Sequence, residues 1–208
     1  LRGVRHAAAL AVGALQVARP LVRKGCLEDG RSIPDRSLWE PAEVHDALRQ
    51  LALHMASVDG TDEDFMVIDS EYDMRSFGID LVQVAAGRLL FVFDTLRSGA
   101  VLLDYVVTDP DHPEDRDCDV PSLRHWLTRP GTTLIAQACG NDARKLQEGY
   151  DIRLDGVFDT QYADAVLRGL RDGRSLAALN RHDLHREMQA KGEVVHYTGL
   201  FKQRPLPQ

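Results

Sequence analysis

Two carboxylates lie close together in the sequence, where they could bind metal ions. Asp69 and Glu71 follow the apolar run Phe65 to Ile68. Residues 59–62, upstream of this run, are of types that favour turns. A short apolar run bounded by turn residues predicts a buried strand. Because side chains two apart on a strand share a face, both carboxylates would emerge together at its end. Carboxylate oxygens suit hard cations, so the functional interpretation of the pair is a magnesium site that acts on a phosphodiester. Without further context, a strand that merely ends at the surface is the favoured interpretation.

Weaker candidates for metal binding lie elsewhere. The segment from Asp104 to Asp119 is acidic, but its two prolines and the lack of a sharp-turn glycine argue against a calcium loop. A solvated insertion is therefore expected. His182 and His185 lie three residues apart on an expected helix, with Glu187 nearby. Without a third ligand at a recognised spacing, exposed helix histidines are the favoured interpretation.

Helices and strands must bring such residues together. Residues 43–55 carry apolar side chains at helical spacing and predict an amphipathic helix after Pro41. Further strands are expected at Leu81 to Ala85, Leu89 to Phe93, Thr132 to Ala138 and Gly156 to Asp159, and further helices at Pro121 to Thr128, Asp142 to Glu148 and Gln161 to Arg171. Ala86-Gly87-Arg88 suits a tight hairpin. This order predicts an α/β fold whose mixed sheet is flanked by helices, with three antiparallel strands first.

Composition narrows the function classes. With 208 residues, 44% hydrophobic and 27% charged, the chain predicts one core with appendages. A net charge of −7 argues against coating nucleic acid by charge alone, so any nucleic acid must be held at a local site. No apolar run approaches the roughly 20 residues that a membrane helix needs, so no membrane partner is expected. The 3 cysteines, without a C-x-x-C pair, suggest neither a disulfide framework nor a thiolate zinc site.

The first 40 residues differ from the rest. No acidic residue occurs from Leu1 to Leu27, while five basic residues are set among Ala, Leu and Val. This composition resembles that of a transit peptide, which would direct the protein to a mitochondrion or another organelle. The favoured alternative is an Ala-rich helix that packs on the domain or on a partner. The polar stretch 31–39 reads as a linker. We expect an N-terminal basic helix and linker at 1–40 and one domain at 41–208.

Two motifs in that domain resemble those of a known family. Asp69-Ser70-Glu71, followed by Leu81-Val82-Gln83-Val84-Ala85, is similar to the first motif and second strand of the DEDD 3′–5′ exonucleases of the ribonuclease D type. That family commonly has Thr where this chain has Ser70. Cys139-Gly140-Asn141-Asp142, continued by Val157-Phe158-Asp159-Thr160-Gln161, is similar to the second motif, in which an Asp opens a helix.

The resemblance covers about residues 65–165 and implies a ribonuclease H-like fold. It implies hydrolysis of single-stranded nucleic acid from the 3′ end, with RNA favoured over DNA. Asp69, Glu71 and Asp142 would be the catalytic residues and the ligands of two Mg²⁺ or Mn²⁺ ions. The alternative for Asp142 is a plain N-cap or first-turn acid of its helix.

The family's third motif, Tyr-x-x-x-Asp, supplies a fourth metal carboxylate. Tyr105 and Asp109 have this spacing but precede the second motif, so we treat them as a chance match. Residues 202–207, Lys-Gln-Arg-Pro-Leu-Pro, resemble the stretch that often comes just before it. The domain is therefore expected to stop short of that motif and to be inactive as it stands. Two alternatives stay open. The chain is part of a working nuclease, or it is a catalytically silent domain that serves as an RNA-binding or scaffold subunit of a ribonucleoprotein complex.

Aromatic and basic residues offer further contacts for nucleic acid. Tyr72, Phe77 and Trp126 could stack on bases, although aromatics in such runs more often belong to a core. The C-terminal segment is basic and could bind a phosphate backbone or an acidic partner, although such a face is usually only solvated. Its basic residues are Arg181, Arg186, Lys191, Lys202 and Arg204.

Overall fold

A five-stranded mixed sheet lies at the centre of the computed structural model, which describes residues 40–62, 64–72 and 78–184. The strands in chain order are β1 Phe65–Glu71, β2 Leu81–Ala86, β3 Leu89–Asp94, β4 Val106–Val107, β5 Val120–Pro121, β6 Thr133–Ala136 and β7 Val157–Asp159. The large sheet has the order β3-β2-β1-β6-β7, and β4 pairs with β5 in a second sheet. The first three strands are antiparallel, whereas β6 runs parallel to both β1 and β7. This arrangement confirms the predicted fold class.

Helices cover both faces of the sheet. They are α1 Pro41–Val58, α2 Ala100–Leu103, α3 Leu123–Thr128, α4 Gly140–Tyr150, α5 Thr160–Arg168 and α6 Leu176–Leu179, and a π-helical turn, Asn180–Leu184, follows α6. Pro41 begins α1 because its fixed φ suits a first helical turn. The buried stripe of α1 includes Val44, Leu48, Leu51 and Met55, as its spacing predicts.

Successive side chains of β1 point to opposite faces of the sheet, and each face has its own apolar cluster. Met66 and Ile68 belong to the larger cluster, which includes the apolar stripe of α1. Val67 belongs to a smaller cluster on the opposite face, together with Ile135 and Leu176. Burying a side chain of this size contributes roughly 1.5–3 kcal/mol, so the two faces fix the register of β1. The positions of Asp69 and Ser70 follow from that register.

Several predicted boundaries shift for local reasons. The helix expected from Pro121 begins at Leu123, because residues 120–121 pair with residues 106–107. The strand expected to reach Ala138 ends at Ala136, because Ala138 has a left-handed φ of 57° that no strand continues. Residues 110–117 are exposed, as a solvated insertion should be. The segment is nevertheless anchored, because the ring of His45 donates a hydrogen bond to the Cys118 carbonyl at 2.8 Å.

Some expectations concern parts of the chain outside the described residues. They are the N-terminal helix and linker, Phe77, His185, Glu187, Arg186, Lys191, Lys202, Arg204 and the stretch 202–207.

Candidate active site

The end of β1 carries the first candidate residues. Asp69, Ser70 and Glu71 are half-buried and still paired with β2, so the strand extends three residues beyond the predicted apolar run. Asp69 lies opposite Gln83, and Glu71 lies opposite Leu81. Asp69 and Glu71 share the face of Val67, whereas Ser70 points to the face of the larger core. The two carboxylates therefore leave the sheet on one side, as predicted.

A hydrogen bond joins the two sequence motifs. The hydroxyl of Ser70 donates to Oδ1 of Asp142, which lies 72 residues further along the chain in the first turn of α4. Asp69, Ser70 and Asp142 line one small cleft together with Gln137 and Cys139, and the other residues that line it are apolar. An acid in the first turn is also favoured by the helix dipole. The structure thus brings Asp69 and Asp142 to the same place.

Asp159 determines where α4 begins. Its carboxylate accepts hydrogen bonds from the backbone N–H groups of Ala138 at 3.0 Å, Cys139 at 2.9 Å and Gln161 at 2.8 Å. One side chain therefore caps α5 and fixes the turn that leads into α4. In the sequence, this Asp is notable only as part of a family motif. An Asp immediately before a helical pattern is an N-cap signal that could have found it.

Tyr72 follows the Asp-Ser-Glu motif directly, and carboxylates of both sequence motifs influence its hydroxyl group. Burial and the carboxylates of Asp142, Asp69 and Glu71 raise the pKa of the phenol from 10.0 to about 12. All three candidate carboxylates therefore lie within electrostatic range of one hydroxyl group. At neutral pH that phenol keeps its proton and can donate a hydrogen bond.

Cys139 lines the cleft but is not suited to nucleophilic chemistry. Burial and the neighbouring carboxylates of Asp159 and Asp142 raise the pKa of its thiol from 9.0 to about 12. Because the thiolate is the nucleophilic form, a thiol with this pKa is inert at neutral pH. The carboxylates remain the groups of the cleft that could carry out hydrolysis.

Comparison with known proteins identifies the family. The 3′–5′ exonuclease family matches residues 70–208, which is well over half of the chain and begins one residue after Asp69. The chain belongs to the 3′–5′ exonuclease family. This membership confirms the resemblance to DEDD exonucleases that the two motifs indicate. No curated protein matches this exonuclease sequence.

Solved structures share the fold of this exonuclease domain. Trypanosoma brucei RNase D in complex with RNA U12 superposes with a TM-score of 0.54 and 18% identity over 80% of this chain and 54% of that chain. The catalytic core of RRP6 from Trypanosoma brucei superposes with a TM-score of 0.55 and 18% identity, over 83% of this chain and 39% of that chain. Escherichia coli RNase D superposes with a TM-score of 0.52 and 19% identity, over 77% of this chain and 36% of that chain. The chain thus spans about half or less of these proteins, and at these identities the likeness establishes the fold.

The cleft at the end of β1 has donors of the right chemistry for hard divalent ions. Carboxylate oxygens are the usual protein ligands of Mg²⁺, and Asp69 and Asp142 line the same cleft. Among residues 40–62, 64–72 and 78–184, however, no three His, Cys, Asp or Glu side chains converge closely enough to hold a metal ion. Glu71 shares the electrostatic surroundings of the other two without lining the cleft with them. The metal-ligand role of the three carboxylates stays a prediction.

The other residues proposed from the sequence for base stacking or metal binding lie outside the cleft. Trp126 is only 5% exposed and packs in the larger core, which leaves its ring no room to stack on a base. Tyr72 is half-buried beside the cleft. His182 is exposed on the π-helical turn, and within the described part of the chain it belongs to no group of three His, Cys, Asp or Glu side chains that could hold a metal ion. Within that part, the helices are too short or too polar to cross a membrane.

Proposed function

We propose that this chain carries the metal-binding core of an exonuclease that shortens single-stranded RNA from its 3′ end. The observation that carries the proposal is the bond from Ser70 to Asp142, which joins the two family motifs at one cleft. Membership in the 3′–5′ exonuclease family supports the reaction class. RNA is favoured over DNA because a structural neighbour, Trypanosoma brucei RNase D, binds RNA U12.

Asp69, Glu71 and Asp142 would hold the divalent ions, two Mg²⁺ or Mn²⁺. Such ions supply an activated water and stabilise the leaving 3′ oxygen of the phosphodiester. Ser70 fixes the orientation of the Asp142 carboxylate through its hydroxyl. Tyr72 lies in the electrostatic field of the same carboxylates, and its neutral phenol would be available to donate a hydrogen bond to bound RNA. The proposed domain is 41–208, with 1–40 as an appended segment.

A second function is a silent fold that binds RNA as a subunit of a larger ribonucleoprotein complex. The observation that favours it is that the described residues contain no converging set of three metal ligands. A nuclease that lacks one ligand holds its ions poorly and loses most of its rate. This alternative predicts RNA binding without turnover.

Degradation of single-stranded RNA labelled at its 5′ end tests the two functions. We expect the full-length protein with Mg²⁺ to produce a ladder of products that shorten by single nucleotides from the 3′ end. Asp69→Ala should leave the RNA intact, because one ion loses its ligand. Asp46→Ala removes an exposed carboxylate on α1 that does not line the cleft and should degrade RNA like the wild type. Intact RNA with all three proteins would favour the silent subunit.

A further inference from the structure

Asp159 joins two turns that lie side by side at the end of the sheet. It is the last residue of β7, which runs parallel to β6, and its partner in the register is Ala136, the last residue of β6. The chain leaves β6 for α4 and leaves β7 for α5, so the two turns begin at neighbouring positions. The Asp159 side chain bonds to both turns. Oδ1 accepts from Gln161 in the second turn and from Ala138 in the first, and Oδ2 accepts from Cys139 in the first.

The turn between β6 and α4 contains an unfavourable backbone conformation. Ala138 has a φ of 57°, in the left-handed region that a residue with a Cβ rarely adopts. Such a conformation persists only where the surrounding structure holds it. The N–H groups on both sides of the Ala138 Cα, its own and that of Cys139, donate to Asp159 at 3.0 and 2.9 Å. Asp159 therefore holds this residue from both sides.

This turn determines where Asp142 lies. The carbonyl of Cys139 accepts a hydrogen bond from the N–H of Ala143 at 2.8 Å, so the first turn of α4 is built directly on the residue that Asp159 holds. Asp142 lies in that first turn and accepts the hydroxyl hydrogen bond of Ser70. A change in the backbone of the turn would therefore move Asp142 relative to β1.

We propose that Asp159 is a positioning residue that holds Asp142 in place against Ser70. The inference rests on the proposed function, in which Asp142 acts on RNA. Asp159 is not among the residues that line the cleft, so it acts through the backbone of the turn rather than on RNA. Positioning matters to a rate because a displacement of about 1 Å at a reacting group can lower it roughly 100-fold.

Asp159→Asn separates positioning from helix capping. The amide oxygen of Asn can take the place of Oδ1, and Asn is as good an N-cap as Asp, so α5 keeps its cap. The NH₂ group then takes the place of Oδ2 and faces the N–H of Cys139, so two donors oppose each other. The variant therefore loses one of the two bonds to the turn before α4 and keeps the bond that caps α5.

Urea denaturation of the full-length protein tests the inference without any measurement of activity. Ser70→Ala removes the donor to Asp142 and should lower the midpoint urea concentration of the wild type. In Asp159→Asn, Asp142 is already displaced, so adding Ser70→Ala should lower the midpoint by at most about half as much. Ser70 on β1 and Asp159 on β7 are separated by β6, about 10 Å in all, and unconnected residues this far apart have additive effects.

Single-turnover degradation of labelled single-stranded RNA with Mg²⁺ gives a second readout. At saturating RNA, Asp159→Asn should release nucleotides roughly tenfold more slowly than the wild type, because Asp142 is displaced. Its Kd for RNA, measured without Mg²⁺, should stay within about twofold of the wild type, since a positioning residue affects the rate rather than binding. Asp155→Asn is the matched control. It makes the same substitution at an exposed residue before β7 and should equal the wild type in rate and Kd.

Additive losses in the urea experiment would overturn the inference, because Asp159 would then stabilise the fold independently of Asp142. Ser70→Ala without effect on the wild type would overturn it too, since there would be no contact for Asp159 to hold. So would an Asp159→Asn variant that does not fold, or one that degrades RNA at the wild-type rate. If the wild type itself degrades no RNA, the proposed function fails, and the urea experiment still decides whether Asp159 positions Asp142.

Discussion

Asp142→Asn is expected to lower the rate at which the full-length protein releases nucleotides from single-stranded RNA by at least about 100-fold. Asn has the size of Asp and can still accept the hydrogen bond from Ser70, so the contact between α4 and β1 survives. What is lost is the negative charge that a hard divalent ion requires. The rate should be measured under single-turnover conditions with saturating Mg²⁺, so that RNA binding does not limit it.

The matched control is Asp151→Asn, the same substitution at the other end of the same helix. Asp151 is exposed and has a left-handed φ of 53° after the last turn of α4, a conformation that Asn also tolerates. Its rate should stay within about twofold of the wild type, because surface substitutions of this kind have little effect. Equal rates for Asp142→Asn and wild type would show that Asp142 is only a first-turn acid of α4.

Asp164→Ala is expected to lower the free energy of unfolding by about 3–5 kcal/mol. The carboxylate of Asp164 is 6% exposed and accepts hydrogen bonds from Arg168 at 2.8 Å and from both the backbone and the side chain of Arg174 at 2.8 Å. Its removal leaves the guanidinium of Arg174 without its buried partner. Arg174 also binds Asp183 at 2.6 Å, so the network ties α5 to the π-helical turn.

Urea denaturation followed by circular dichroism measures this loss. Asp183→Ala is the control, because it removes a carboxylate from the same network that is 51% exposed. An exposed ion pair contributes little, so this variant should lose no more than about 1 kcal/mol. Similar losses in the two variants would contradict the view that burial makes Asp164 the centre of the network.

The contribution of Asp164 should also depend on pH. Burial by itself raises the pKa of Asp164, but the hydrogen bonds from Arg174 and Arg168 outweigh it and lower the pKa from 3.8 to about 2. A carboxyl group with a depressed folded-state pKa stabilises the fold above its unfolded-state pKa and loses that effect as the pH falls through the folded-state pKa. The stability difference between wild type and Asp164→Ala should therefore shrink between about pH 4 and pH 2.

The sequence predicted the elements that have a regular pattern. The apolar run of β1 is bounded by turn residues, and the apolar stripe of α1 repeats over several turns, so both elements could be identified from the sequence alone. The two-residue strands β4 and β5 and the four-residue helices α2 and α6 are too short to show any period. Tertiary contacts determine them, and the pairing of residues 106–107 with 120–121 is one example.

The candidate site was predictable only in part. Periodicity placed Asp69 and Glu71 on one face of a strand, but the contact between Ser70 and Asp142 spans 72 residues and has no local signal. Only the resemblance to a family of known arrangement predicted that the two motifs meet. The capping role of Asp159 depends on packing between α4, α5 and β1, which a single sequence does not show.

Asp69, Glu71 and Asp142 are proposed to hold divalent ions at the junction of β1 and α4. Anomalous diffraction from crystals of the full-length protein soaked in Mn²⁺ tests it most directly, because it locates the ions independently of activity. We expect anomalous peaks within about 2.5 Å of carboxylate oxygens of these three residues, and none in crystals of Asp69→Ala. Crystals that show no peak at this junction, with Mn²⁺ bound elsewhere or not at all, would contradict it.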